Sequence, residues 1–224
     1  MRTKIILFLT VFFTVSLFAQ QQGKYIFMKS GHIEYQLTGN TTGTKSVWFD
    51  EYGMLMYTLI SSTTTVKIMG FKNTTTKNEL EIRKGNQLWK IDMLTKKGTK
   101  TTIDYAVEIG KPITKGKTDA ELHQTERKAV TDMGGEIEGY EDVLGHKCLV
   151  FTFGTTKFWQ YKGYPLKSII SILGVTGNET AISMQENIVV PASKFNIPAG
   201  ITIEEVANPM DEDVDIEKLI KSSN

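Results

Sequence analysis

Three histidines and one cysteine are the residues of this 224-residue chain best suited to chemistry. His32, His123 and His146 are scattered, with neither an HExxH spacing nor any other spacing that converges ligands on a metal. His146 and Cys148 fall on the same side of a predicted strand. A nucleophilic Cys/His pair also needs an orienting third group and an oxyanion donor, and no residue marks either. An isolated cysteine is more often a buried packing residue. The acid pairs Glu136/Glu138 and Glu141/Asp142 are ordinary on exposed strand faces and turns. Gly110 to Thr118 resembles a phosphate-binding loop but has one residue too many between its glycines, so the backbone N–H groups would not converge. It reads instead as a solvated basic loop. The run Asp211-Glu212-Asp213-Val214-Asp215 lacks the glycine and distal glutamate of a calcium loop. The Asn-x-Thr sequons at Asn40, Asn73 and Asn178 follow from the high threonine content. No G-x-S-x-G elbow occurs. The expectation is a non-enzyme with no metal and no cofactor.

What stands out is apolar. Nine Met, eleven Phe, eight Tyr and three Trp are many for a sheet-dominated domain. Met54, Met56, Met69, Met93 and Met184 fall on or beside predicted strands that also carry Trp48, Trp89 and Trp159. Flexible, polarizable methionine on a curved sheet suits a cavity that takes varied apolar ligands. Ordinary core packing is the commoner fate of such residues. The candidate ligand-binding residues are Trp48, Met56, Ile68, Trp89, Ile91 and Trp159. Alternation alone does not say which face each occupies, because a one-residue slip exchanges the faces.

These side chains need strands to hold them. From Lys24 onward the dominant period is two: Ile33, Tyr35 and Leu37 alternate with Glu34 and Gln36. Residues 47–49 and 54–60 form a predicted hairpin, with Gly53 in a positive-φ position. Val66, Ile68 and Phe71 mark the next strand, residues 72–78 a loop, and Leu80 with Ile82 another strand. Residues 84–86 then turn the chain into 88–93. Strands are also predicted over 148–153, 157–161, 166–173 and 180–190, the last stopped by Pro191.

One segment breaks the pattern. Thr118-Asp119-Ala120-Glu121 is a capping box. Leu122, Ala129, Val130 and Met133 follow on one face, and Gly134-Gly135 ends the helix. A second short helix is expected near 214–220. The fold class is α+β, mainly antiparallel β, with one short helix packed on the sheet. No linker and no repeat divides the chain.

The first nineteen residues read as a secretory signal peptide: Arg2 and Lys4, an apolar run over 5–13, then Ala19 before three glutamines. The apolar run is shorter than the ~20 residues of a bilayer span. No cysteine adjoins the cleavage position to accept a lipid. The expectation is a periplasmic or secreted chain with a single β-rich domain over 20–224, tailing off in an acidic segment over about 208–224. Removing residues 1–19 leaves 24 basic against 25 acidic residues. That balance argues against a nucleic-acid partner, and a lone cysteine rules out an internal disulfide framework.

The strand with Tyr35 and Gly39, "VWFDEYGMLMYT" (47–58), "YEDVLGHKCLVFTF" (140–153), "KFWQYKGYPLKSII" (157–170) and "VVPASKFNIPAGI" (189–201) carry a resemblance. The chain is similar to exported proteins of unknown function grouped near the periplasmic lipoprotein carriers LolA and LolB. The resemblance implies an open, curved antiparallel half-barrel with an apolar concave face. It differs from LolA in having one clear interior helix, and it lacks the lipid-anchoring cysteine of LolB.

The function expected is binding of a lipid, acyl chain or other apolar molecule on that concave face, by a monomer. The alternative is a cell-envelope structural or protein-interaction module with a filled core.

Overall fold

The computed structural model describes residues 26–68, 71–102, 118–172 and 175–207. The expected signal peptide, most of the Gly110–Thr118 loop and the expected tail with its helix lie outside these residues.

The strands are β1 (Gly31–Gly39), β2 (Thr41–Asp50), β3 (Leu55–Ile68), β4 (Phe71–Lys84), β5 (Gln87–Asp92), β6 (Lys97–Thr102), β7 (Glu136–Val143), β8 (His146–Phe153), β9 (Thr156–Tyr161), β10 (Tyr164–Ile172), β11 (Val175–Glu186) and β12 (Thr202–Glu205). They form one open, curved sheet in the order β12-β6-β5-β4-β3-β2-β1-β11-β10-β9-β8-β7. Every neighbouring pair is antiparallel except β12 on β6. The meanders β1–β6 and β7–β11 join where β11 pairs with β1. This architecture is consistent with a half-barrel.

The β2–β3 turn forms where expected. Gly53 takes φ 88° and follows Glu51 and Tyr52, also at positive φ. That strain is offset locally: the Tyr52 N–H donates to the Lys29 carbonyl at 2.9 Å.

Residues 72–78 correct the sequence reading. They are not a loop but the first half of β4, and β3 and β4 run in register for fourteen residues each. The polar stretch pairs because threonine suits the extended backbone and its hydroxyls meet across the ladder. Thr63 contacts Thr76 and Thr65 contacts Thr74, each at 3.3 Å, and Thr41 contacts Thr64 at 2.9 Å. Strands β6, β7 and β12 were also missed. β6, Lys97–Thr102, carries no large apolar residue at all, so periodicity had nothing to register.

The helix α1 spans Asp119–Asp132. Its capping box is complete: the Thr118 N–H donates to Glu121 Oε2 at 2.7 Å, and the Glu121 N–H donates to Thr118 Oγ1 at 3.3 Å. Two orphan donors at the first turn are thereby satisfied. Thr118→Ala is expected to lower stability by about 1 kcal/mol, read as a lower urea midpoint with an unchanged slope. Val130 is buried, whereas Met133, expected on the same apolar face, is exposed because the helix ends there.

Three buried clusters result. The central one joins Ile26, Met28, Ile33, Tyr35, Val47 and Phe49 to Cys148, Val150, Trp159, Leu166 and Ala181. A second holds Leu80, Ile82, Trp89 and Ile91 under Ile197, Ile201 and Ile203. In the third, Val130 of α1 sits on Leu149, Phe151 and Phe158. Leu149 and Phe151 alternate with Cys148 and Val150, so β8 is buried on both faces, under α1 on one side and by the central core on the other.

Candidate functional site: the inner face of the sheet

On β1 the side chains of Ile33, Tyr35 and Leu37 point to one face, and register carries that face across the sheet. Phe49 lies opposite Met56, which lies opposite Arg83, which lies opposite Leu88. The next row is Val47, Thr58, Glu81 and Lys90, and the next Lys45, Ile60 and Glu79.

This face is concave. Phe49 on β2 and Tyr164 on β10 are three strands apart, about 14 Å in a flat sheet. Their rings nevertheless stack with centroids 6.1 Å apart. The Tyr35 hydroxyl also reaches β10, donating to the Pro165 carbonyl at 2.7 Å. From β4, five strands from β10, the charges of Glu81 and Arg83 act on Tyr164.

A charged and phenolic group is held inside this curve. Lys45 Nζ lies 2.7 Å from Glu179 Oε2 and 5.0 Å from the centre of the Tyr35 ring. Burial works to lower the Lys45 ammonium, but Glu179, Tyr164 and Glu81 together outweigh it and hold the group above its ordinary range. Burial pushes Tyr164 above its ordinary 10.0; Glu179 and Glu81 add to the rise, while Lys45 and Arg83 oppose it. Burial likewise pushes Tyr35 well up, with Tyr164 and Glu179 contributing. At neutral pH the group is therefore a lysine–glutamate pair between two neutral phenols.

Arg83 is different. It is 3% exposed, and its Nε and Nη1 have no hydrogen-bond partner. Its neighbours in register are apolar, Met56 on one side and Leu88 on the other. Met56 and Ile60, on the same face, are only partly buried.

The six expected ligand-binding residues divide between the faces. Met56 packs against the central cluster on the concave face, and Ile68 is the last residue of β3. Trp159 is also in the central cluster; its indole N–H donates to Glu141 at 2.7 Å and Lys167 Nζ lies 4.1 Å from its ring centre. Trp48, Trp89 and Ile91 occupy register positions on the opposite face of β2 and β5. Trp48 stacks on His32 at 3.7 Å, with Lys194 Nζ 4.8 Å from its ring centre. Trp89 and Ile91 are buried beneath the segment that follows β11. Period two separates the faces without saying which one curves inward, and only the cross-strand contacts decide that.

Outside this face, Glu126 of α1 is 2% exposed. Its Oε1 accepts from Gln160 Nε2 and from the Gly163 N–H, each at 2.9 Å. Cys148 is fully buried, and burial pushes its thiol up to about 12, so it remains protonated at neutral pH. Among the described residues no group of three or more His, Cys, Asp or Glu could hold a metal ion, and no helix is long and apolar enough to cross a membrane.

No protein-family model matches the chain, and no curated protein matches it. Among solved structures it is similar to an uncharacterised conserved protein from Thermus thermophilus, at 8% identity and a TM-score of 0.49, over 86% of this chain and 99% of that one. It is similar to PNGF-II at 12% identity and a TM-score of 0.43, over 87% of this chain and 34% of that one. LprF from Mycobacterium bovis is similar at 9% identity and a TM-score of 0.30, over 77% of this chain and 95% of that one. Likenesses of this size assign neither a family nor a function.

Proposed function

We propose that the chain is an exported, non-enzymatic binding protein of the cell envelope, with a LolA-like half-barrel that takes a lipid, acyl chain or other apolar molecule on its concave face. The observation that carries this reading is the curvature itself. The sheet bends enough to stack Phe49 on Tyr164, while Met56 and Ile60 on the same face stay partly exposed. Gly177 lies on this face across from Gly39 and Ile170, and a Cβ placed on it would meet nothing within 4 Å. An acyl chain laid along such a surface gains ~0.8 kcal/mol for each CH₂ withdrawn from water. Export is supported by the charged, apolar, then small-residue order of the first nineteen residues.

The test is native mass spectrometry of the protein purified from its own periplasm, followed by lipid extraction and displacement of a fluorescent fatty-acid probe. An apolar molecule should copurify. Ile60→Glu should weaken the probe roughly tenfold or more, because an apolar wall is replaced by a charge that resists desolvation. If nothing apolar copurifies and no probe binds, the proposal is lost.

A further inference from the structure

We propose that the concave face selects ligands carrying an anionic head group on an apolar chain, and that the head docks on the Arg83 guanidinium. This rests on the apolar-ligand reading above and adds the chemistry of the ligand's polar end.

Arg83 is almost wholly withdrawn from water, yet Nε and Nη1 donate to nothing. A guanidinium cannot relieve that situation by losing its proton. Buried charges are ordinarily paired, so an orphaned one calls for an acceptor from elsewhere. The neighbouring cation does not share this need, because Lys45 is held by Glu179 at 2.7 Å. Glu81 lies two residues back on the same strand, and neither Nε nor Nη1 donates to it. The residues opposite in register, Met56 and Leu88, offer no acceptor of consequence. What they offer is an apolar surround, which strengthens a charge-assisted hydrogen bond once an anion arrives. A ligand with a carboxylate or phosphate at one end and a hydrocarbon chain at the other would satisfy both. The head would meet the free donors of Arg83, and the chain would cover Met56 and Ile60.

Displacement of the neutral dye N-phenylnaphthylamine tests this with four competitors: oleate, methyl oleate, acetate and inorganic phosphate. Oleate should displace the dye at a concentration at least tenfold below methyl oleate. Acetate and phosphate, lacking a chain, should not compete in the same range. Arg83→Gln should bring oleate to the level of methyl oleate and leave the ester unchanged, while Arg83→Lys should keep part of the preference. Circular dichroism on each variant establishes that it is folded. Equal displacement by oleate and its ester in the wild type overturns the head-group assignment and leaves the apolar-ligand reading standing. So does a preference that survives in Arg83→Gln. Competition by acetate or phosphate at the oleate concentration overturns the requirement for a chain. If neither oleate nor its ester displaces the dye, both proposals fall.

Discussion

Arg83→Met raises the stability of the ligand-free protein by about 1–3 kcal/mol, the cost of leaving buried donors without an acceptor. At this chain length each kcal/mol corresponds to about 2–4 °C in Tm. The sign is unusual, since most substitutions at buried positions destabilise. It follows from what the side chain lacks. At 3% exposure the side chain has given up most of its hydration, and the buried Nε and Nη1 receive no acceptor in return. Methionine at this position would extend the apolar row already formed by Met56 and Leu88. Its flexible stem suits the space left by the arginine methylenes. Urea denaturation without ligand measures the gain. Repeating it with oleate should narrow the gap, because a ligand bound only by the folded wild type stabilises it in proportion to RT ln(1 + [L]/Kd). A loss of stability in the ligand-free variant would mean that the guanidinium is satisfied by the protein itself. A residue that costs stability in the free protein has the profile of a binding-site residue.

The strands that alternate cleanly, such as Ile33, Tyr35 and Leu37, were legible in the sequence because each buries one face. The capping box of Thr118 and Glu121 was legible for a similar reason: it is local chemistry. Threonine pairing across β3 and β4 was not, since hydroxyl ladders leave no apolar signal. Nor was the curvature that makes one face concave, because the Phe49–Tyr164 contact joins residues 115 positions apart in a chain whose local pattern is indifferent to it. Arg83 was hidden by its own alternation. It follows Ile82 as Glu81 follows Leu80, and a charged residue at that spacing reads as facing water. Here the outward-seeming face is the inside of the curve, so the same period that found β4 misassigned its environment. Glu126 left a signal that went unused: it falls four residues from both Leu122 and Val130, in the middle of the stripe that was read as purely apolar.

Glu126 carries the other large expected effect. Glu126→Ala should cost at least about 2 kcal/mol, because two buried donors, Gln160 Nε2 and the Gly163 N–H, lose their shared acceptor at about 1–3 kcal/mol each. Glu126→Gln should not. Its amide oxygen can keep both bonds, and its NH₂ would face His123 Nδ1, which lies 3.7 Å from Glu126 Oε2 and has no hydrogen-bond partner. The pH dependence separates charge from shape. Burial raises the Glu126 carboxyl above its ordinary 4.5, against the opposing pull of Gln160, Gly163 and His123. The folded chain therefore holds this proton more tightly than the unfolded one. Its contribution to stability is fully present below 4.5 and falls as pH rises through the interval between 4.5 and the raised value. Glu138 and Asp92 work in the opposite direction. Hydrogen bonds lower both, from Lys157 and Thr152 to Glu138 and from the Leu94 and Thr95 N–H groups to Asp92. Their contributions are lost as pH falls, so the wild-type curve alone mixes the two trends. The difference between Glu126→Gln and wild type isolates the buried carboxyl: it should be small at pH 4 and grow in favour of the glutamine variant as pH rises. A difference that is flat across this range, or that grows in favour of the wild type, would mean that Glu126 is held as a carboxylate by an ion pair with His123. In that case the charge, and not only the acceptor oxygen, fastens α1 to the β9–β10 turn.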